Sequence, residues 1–481
     1  MTDYEPVIGL EVHAELLTAS KMFCGCPVVD STEAPPNTTV CPVCTAQPGV
    51  LPVINRQAVE MAMMVGLALN CTINDFNQFA RKSYFYPDLP KGYQISQYEH
   101  PLASNGWVDV ELESGTKRIG VTRAHLEEDT GKLFHMGQTS LVDLNRAGVP
   151  LLEIVSEPDM RSVEEVEAYA RKLRAILVYL GVNHGDMSKG VLRFEANVSV
   201  RPKGSNELFT RTEVKNLNSI RSLARSARYE IVRQTKIAQS GGKVVQQTMG
   251  FNEDTGETYA QRSKEQAHDY RYFPEPDLPP LHVSREWVAE VAKTLPELPD
   301  ARRERFAAKL GLSERDAEIL VADKAVADYF EAGVKAGGEP KTVANWITGE
   351  LFRLMNTASV EIEAVKVAPE KLVALIKLVE GGSINNNTAK DVLGIMFETG
   401  RDADKIVKER GLAQISDSGA LEAIVDKVIA ANPNEIQSYL GGKEGLFGWL
   451  VGQVMKETKG KGNAAMVNAM LKEKLAAMKS G

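Results

Sequence analysis

The chain has 481 residues, which at ~150 residues per domain predicts about three domains. An apolar fraction of 43% and a charged fraction of 25% are typical of a globular protein and exclude a fibrous or wholly disordered chain. The formal charge of −8 gives no overall attraction for nucleic acid, so an RNA site must be a local basic patch. No apolar run reaches the ~18 residues of a membrane span, and the N-terminus has no signal-like apolar segment, so we predict a cytoplasmic protein without a membrane partner.

The first part of the chain alternates apolar and polar residues, as half-buried strands do. We predict one helix at residues 56–69, capped by Asn55, and a second at residues 163–180, between Ser162 and Gly181. The predicted strands cover residues 7–15, 107–112, 119–129, 140–145, 192–200 and 243–251.

A proline-rich passage at residues 272–280 ends this part, and helical periodicity follows almost everywhere. Helix starts are predicted at or near Ser284, Ser313, Thr342, Pro369, Asn387, Asp402, Asp417, Pro433, Lys443 and Asn463. We therefore predict an α+β fold, with a β-rich domain at residues 1–292, an all-α helical domain at 293–405 and an all-α tail domain at 406–481.

Glu11, His13 and Glu15 occupy alternate positions of the first strand and therefore project from one face. Two carboxylates and an imidazole in this arrangement suit a hard divalent cation such as Mg²⁺. The alternative is an ordinary solvated face of an antiparallel sheet, and this pattern alone leaves both open.

Further acids follow in chain order. Glu127, Glu128 and Asp129 are consecutive, and like charges this close repel each other unless a cation or a base neutralises them. Glu153 and Glu157 lie in or beside an apolar run, where an unpaired carboxylate is costly to bury. Metal ligation or an arginine partner would remove that cost. A strand further on carries Arg193, Glu195, Asn197 and Ser199 along one polar face.

Five cysteines is an odd number for a disulfide framework, and a chain of this size needs none. Cys24 and Cys26, followed by Cys41 and Cys44, form a pattern compatible with a tetrahedral zinc knuckle, and Cys71 stands apart. The first pair has a one-residue spacer, which is tighter than in a zinc ribbon. Ordinary buried thiols are the alternative.

Two segments could hold an anionic or nucleotide ligand. Residues 82–94 interleave aromatics with Lys82 and Lys91, a combination that can stack a base and hold phosphates, although a loop pinned by prolines explains it too. Residues 201–243 contain ten Lys or Arg and three Glu, a local charge of +7. A solvated helix face or an anionic partner would account for that charge.

Several distinctive strings occur in order along the chain: VIGLEVH (7–13), YFYPD (84–88), HLEED (125–129), LNR (144–146), IVSEPD (154–159), KNLNS (215–219) and DYRYFPEPD (269–277). Together they resemble one known family, the B subunits of aspartyl/glutamyl-tRNA amidotransferase. The resemblance covers nearly the whole chain and is densest before residue 290.

The resemblance implies a cradle-shaped α+β domain, a helical domain and a tRNA-binding tail, within a heterotrimer that also contains an amidase A subunit and a small C subunit. It implies ATP-dependent amidation of misacylated Glu-tRNA(Gln), Asp-tRNA(Asn) or both, through a phosphorylated side-chain carboxylate. It further implies that the catalytic Mg²⁺ is bound by Glu11, His13, Glu127, Glu128 and Glu153. Lys82, Lys91 and Arg193 are candidates for contacts to ATP or to the acyl phosphate.

Two features qualify this picture. The family often has Asp where Glu195 stands, and the extra methylene argues against a direct metal role for Glu195. Some family members lack the four clustered cysteines, so zinc would here support the fold and not the chemistry.

The chain has no amidase signature, so ammonia must come from a partner. A metal-dependent phosphoester hydrolase and a non-catalytic tRNA-binding scaffold are the competing functions.

Overall fold

A computed structural model describes residues 3–263, 270–414, 418–458 and 460–480. Asp269 of the last family string and the predicted helix start at Asp417 lie outside these residues. The chain forms two compact units, Met1–Pro299 and Asp300–Gly481. In the described ranges, no helix has the length and apolar character needed to cross a membrane.

The first unit is built mainly from strands. They are β1 (Tyr4–Glu15), β2 (Thr72–Ile73), β3 (Phe76–Asn77), β4 (Phe79–Ser83), β5 (Tyr93–Gln97), β6 (Ala103–Leu112), β7 (Gly115–Glu128), β8 (Lys132–Met136), β9 (Thr139–Asp143), β10 (Pro150–Ser156), β11 (Leu192–Pro202), β12 (Thr212–Leu217), β13 (Gln247–Asn252), β14 (Glu257–Ser263), β15 (Phe273–Pro274) and β16 (Leu281–His282). All six predicted strands are present. The last predicted strand, expected to start at residue 243, is β13 and begins at Gln247, because its pairing with β14 starts there.

Nine of these strands form one sheet in the order β14-β13-β12-β11-β1-β10-β7-β6-β2. The first strand of the chain is therefore central, between β10 and β11, and it is antiparallel to both. Among the strands that the structure describes, β12 and β13 alone pair in parallel. A smaller sheet, β15-β4-β5, lies beside β7, and two further two-stranded sheets are β16-β3 and β8-β9.

Four helices accompany the sheet: α1 (Arg56–Ala68), α2 (Val163–Tyr179), α3 (Ile220–Gln239) and α4 (Arg285–Lys293). The predicted caps are confirmed, because the side chains of Asn55, Ser162 and Ser284 accept hydrogen bonds from backbone N–H groups of the first turns. Helix α3, capped by Ser219, lies within the basic segment 201–243, for which the sequence indicated only a solvated helix face or an anionic partner. Its buried face is made largely of Ser and Ala together with Glu230 and Gln234, so few large apolar residues mark it in the sequence.

The core of this unit lies on one face of the large sheet. Leu10, Val12 and Ala14 of β1 are buried there with Phe194 of β11, against α2 and α3. Since side chains alternate along a strand, the residues between them project from the opposite face. The sheet therefore has one apolar face, covered by helices, and one polar face.

The second unit is helical. Its helices are α5 (Pro299–Leu310), α6 (Glu314–Val321), α7 (Lys324–Lys335), α8 (Pro340–Asn345), α9 (Phe352–Ala358), α10 (Pro369–Glu380), α11 (Asn386–Thr399), α12 (Ala403–Glu409), α13 (Ser418–Ala431), α14 (Pro433–Leu440), α15 (Leu446–Glu457) and α16 (Ala464–Ser480). A π-helical turn, Trp346–Leu351, joins α8 to α9. The α+β prediction, with all-α regions after the β-rich part, is confirmed.

Two separate cores lie within the second unit. One extends from Phe306 to Val407, and the other from Leu421 to Leu475. Ala403, Ile406 and Val407 of α12 belong to the first of these cores. The domain boundary predicted at residues 405/406 therefore passes through a packed helix. Of the stretch that follows, the described residues 408–414 and 418–420 contribute no buried residue to either core.

Candidate active site

The polar face of the large sheet centres on β1. The strand places Glu11, His13 and Glu15 on this face, and its register with β10 sets His13 opposite Glu153. On the other side, Glu11 pairs in register with Glu195 of β11. Acids from distant parts of the chain are thus brought together by strand pairing.

One group of ligand-type side chains consists of His13, Glu127 and Glu153, and we call it the first cluster. One donor atom from each lies within 4.8 Å of the others. His13 Nε2 is 3.4 Å from Glu153 Oε2 and 3.6 Å from Glu127 Oε1. Both carboxylates are buried. In the part of the chain that the structure describes, the buried His13 Nδ1 has no hydrogen-bond partner.

Burial and charge perturb every group of the first cluster. Burial raises the pKa of Glu127 to about 7, and the nearby Glu153 adds to the effect. Burial opposes ionisation of Glu153 too, but His125 and His13 hold its pKa well below the usual range. Burial disfavours charged His13, yet Glu153 outweighs it and the pKa of His13 rises to about 9. The site therefore stabilises positive charge next to its carboxylates.

A second cluster consists of Glu11, Glu195 and Glu213, again with donor atoms within 4.8 Å. Burial raises the pKa of Glu11, and Glu153 and Glu195 raise it further, so the two clusters adjoin. Lys215 Nζ lies 2.8 Å from Glu195 and 3.6 Å from Glu213. One lysine therefore offsets part of the charge of three carboxylates.

Glu128 does not join the other predicted magnesium ligands. Alternation along β7 turns it away from Glu127, and its Oε1 accepts a hydrogen bond from Ile95 N at 3.0 Å. Lys91 Nζ is 2.6 Å from the same carboxylate. Both side chains line a cavity of about 240 Å³ that also borders Cys24 and Cys44.

The three predicted phosphate contacts differ in their surroundings. Lys91 is paired with Glu128, as described. Arg193 Nη2 lies 2.8 Å from Asp129, and its Nη1 lies 3.5 Å from Glu15. Lys82 Nζ instead lies 5.0 Å from the ring centre of Tyr270.

The charge state of Lys82 follows from its neighbours. Burial opposes its charged form, but Tyr272, Glu127 and Glu153 raise the pKa of Lys82 above its ordinary value. The ammonium therefore stays charged and interacts electrostatically with Glu127 and Glu153 of the first cluster.

The four clustered cysteines also meet in space, and we call them the cysteine cluster: Cys24, Cys26, Cys41 and Cys44. Their sulfur atoms all lie within 4.8 Å of one another. A tetrahedral zinc site with Zn–S distances of ~2.3 Å needs sulfurs ~3.8 Å apart, so the set fits. A hydrogen bond from Cys24 lowers the pKa of Cys44 to about 4. Cys71 is buried elsewhere, beside Leu69.

Sequence reasoning did not identify three members of this site. Glu213 and Lys215 come from the short strand β12, which overlaps the KNLNS string beginning at Lys215. Arg146 Nε lies 3.8 Å from Asp129, beside Arg193. The alternating polar positions of β12 could have pointed to Glu213 and Lys215. For Arg146, the LNR family string was the one available signal.

Comparison with known proteins places the chain in a family. Residues 6–289 match the GatB/GatE catalytic domain, and residues 328–475 match the GatB domain. A relative from Carboxydothermus hydrogenoformans is 52% identical, over 99% of this chain and 100% of its own length. One from Caldanaerobacter subterraneus is 54% identical, over 98% and 99%. One from Geobacter sulfurreducens is 52% identical, again over 98% and 99%.

All three relatives are named as the B subunit of aspartyl/glutamyl-tRNA(Asn/Gln) amidotransferase. The chain therefore belongs to the family of aspartyl/glutamyl-tRNA(Asn/Gln) amidotransferase B subunits, which confirms the resemblance and the prediction of an enzyme subunit.

Proposed function

We propose that this chain catalyses ATP-dependent amidation of misacylated Glu-tRNA(Gln), Asp-tRNA(Asn) or both, on the polar face of its large sheet. The observation that carries the proposal is the pair of adjoining buried acidic clusters on that face. A solvated polar face would not bring six ligand-type side chains so close together with Glu127, Glu153 and Glu213 buried.

The reaction needs an activated carboxylate, because an unmodified carboxylate is a poor electrophile. A side-chain oxygen of the aminoacyl group attacks the γ-phosphorus of ATP, and ADP leaves. Ammonia then attacks the carbonyl carbon of the acyl phosphate, and phosphate leaves as the amide forms. The carboxylate is already an anion, so the first step requires no strong general base.

The first cluster is the better candidate for holding the catalytic cation. His13, Glu127 and Glu153 offer one nitrogen and several oxygens, and Glu127 is readily deprotonated near neutral pH. Glu11 borders this group from the second cluster. Bound there, Mg²⁺ would neutralise the negative charge that develops during phosphoryl transfer.

Among the predicted phosphate contacts, we assign Lys82 the direct role. Its ammonium interacts electrostatically with Glu127 and Glu153 of the first cluster, which favour its charged form. Lys91 and Arg193 are held in ion pairs by Glu128 and Asp129, so we assign them positioning roles. Both could contact phosphate only by giving up a buried partner.

The partner subunits, the tail and the cysteine cluster have supporting roles in this proposal. We propose that the amidase A subunit supplies ammonia, that the small C subunit stabilises the pair, and that the tail binds the body of the tRNA. We also propose that the cysteine cluster binds a structural Zn²⁺, because its four sulfurs fit one tetrahedral ion.

The test uses the chain purified with its A and C partners. Glu153→Gln should lower transamidation of Glu-tRNA(Gln) at least ~10²-fold, since a charge beside the reacting phosphoryl group is lost. Glu5→Gln is the matched control, because Glu5 lies on the same strand but pairs with Arg201.

Two readouts separate the proposal from its competitors. ATP consumption that depends on misacylated tRNA supports amidation. Hydrolysis of phosphoesters without tRNA would favour a hydrolase, and tRNA binding without ATP consumption would favour a scaffold. Equal transamidation by Glu153→Gln and the wild type would overturn the site assignment.

A further inference from the structure

Lys21 is one of the largest fully buried side chains of the protein, with 0% exposure. Its Nζ lies 3.6 Å from Cys44 Sγ and 3.2 Å from the carbonyl oxygen of Leu144. Across the described ranges, no carboxylate forms an ion pair with this ammonium. A buried ammonium without an anion is strongly unfavourable, so its environment must supply negative charge.

The backbone and packing around Lys21 fix the side chain in place. Its backbone N–H donates to the carbonyl of Cys26 at 2.9 Å, within the cysteine cluster itself. A methyl group added to Gly148 would lie 3.6 Å from both Lys21 Cδ and Cys44 Cβ. The stem is therefore enclosed between Gly148 and Cys44, and the whole side chain is buried.

Four thiolates around one Zn²⁺ carry two negative charges in excess. We propose that Lys21 is the built-in counter-ion of the cysteine cluster, offsetting one of these charges and thereby slowing loss of the metal. This inference rests on the proposed structural zinc and names a residue that acts on it without being a ligand. Groups outside the ligand shell commonly tune metal affinity by ~10–100-fold.

The first experiment measures how fast zinc passes from the purified protein to a coloured chelator. Lys21→Met keeps the length of the side chain and removes its charge, so zinc should be lost at least ~10-fold faster than from the wild type. Lys189→Met is the matched control. Lys189 pairs with Asp30 and Glu33, which lie between the two cysteine pairs, but it is exposed and contacts no cysteine.

The outcomes distinguish the two proposals. If wild-type protein contains one zinc and loses it at the same rate as Lys21→Met, the counter-ion proposal is wrong and the zinc site stands. Wild-type protein without zinc overturns both. A faster loss from Lys21→Met alone, with Lys189→Met unchanged, supports the counter-ion.

A second experiment decides the matter even if Lys21→Met alone does not fold. In Cys44→Ser a thiolate is lost and Lys21 becomes a buried cation with less negative charge around it. Adding Lys21→Met to Cys44→Ser should then raise the melting temperature, whereas Lys21→Met should lower it in the wild-type background. A double variant that melts no higher than Cys44→Ser would overturn the proposal, and this comparison does not need Lys21→Met to fold alone. Where Lys21→Met does fold, equal effects in both backgrounds would overturn it as well.

Discussion

His13 and Glu153 lie directly opposite each other on neighbouring antiparallel strands, with 3.4 Å between Nε2 and Oε2. The same carboxylate lies 3.6 Å from His125 Nε2 on the next strand. A one-residue slip of β10 would turn Glu153 into the apolar core, so the register that packs the core also assembles the site.

The neighbouring acids Glu127 and Glu128 should respond differently to loss of charge. Glu127→Gln removes a carboxylate from the first cluster, so we expect the Mg²⁺ concentration for half-maximal transamidation to rise at least ~10-fold. Glu128→Gln should leave that concentration nearly unchanged, since its carboxylate faces Lys91 and Ile95. A magnesium titration of both variants measures this.

Glutamine hydrolysis by the partner without tRNA is the control for assembly of each complex. A magnesium requirement raised equally in both variants would return Glu128 to the set of metal ligands, as the family resemblance implies.

Cys41→Ser should remove the zinc. We expect about one zinc per chain in the wild type, by elemental analysis of protein purified without chelators, and almost none in the variant. The variant should be less stable yet keep activity in its folded fraction, because the cysteine cluster is separate from the first cluster. Cys71→Ser is the control, since Cys71 lies outside the cluster. Zinc retained in full by Cys41→Ser would show that the four thiols do not hold the metal.

Removing the tail should weaken tRNA binding and reduce its dependence on salt, because phosphate contacts weaken steeply as salt rises. The cut belongs after Leu412, since Ile406 and Val407 are buried in the core that precedes the tail. Lys474 pairs with Glu422 and Asp426, so we expect Lys456 and Lys461 to contribute more.

The measurement is tRNA affinity across a salt series for intact and truncated complexes. ATP consumption at saturating tRNA is the control for an intact first unit. Identical affinities and identical salt slopes would exclude the tail from tRNA binding.

Glu230 should contribute stability above about pH 4.3, the ordinary pKa of a free glutamate. Burial opposes its ionisation, but hydrogen bonds from Arg233, Gln234, Thr258 and Thr212 lower its pKa. Glu230→Gln should cost about 1.5–3 kcal/mol at pH 7, the range for hydrogen bonds to a charged group. A lowered native pKa means that this contribution is lost as the pH falls below 4.3, through the native pKa.

Urea denaturation at several pH values measures the difference in unfolding free energy between the wild type and Glu230→Gln. The difference should shrink as the wild-type carboxylate becomes protonated. The exposed Glu257→Gln on β14 is the control. A difference that stays constant down to pH 3 would contradict the lowered pKa.

Local sequence patterns were enough to predict many of the secondary-structure elements and the family. Period-two alternation located β1 with Glu11 and His13 on one face, and Asn55, Ser162 and Ser284 marked helix starts, because strand parity and capping depend on a few adjacent residues. The family strings, being chemically distinctive and ordered, indicated the enzyme class that the comparisons then confirmed. Helix α3 was missed because its small, basic composition hides its buried face.

Which acids lie together could not be predicted from local patterns and follows from the packing of the whole sheet. Glu11 joins Glu195 and Glu213, while His13 joins Glu127 and Glu153, and these groupings depend on the pairing of strands that are far apart in the chain. Adjacent residues on a strand face opposite ways, so Glu127 and Glu128 looked equivalent in the sequence and are separated in the fold. The burial of Lys21 against Cys44 was likewise invisible, because local patterns carry no information about which distant segment encloses a side chain.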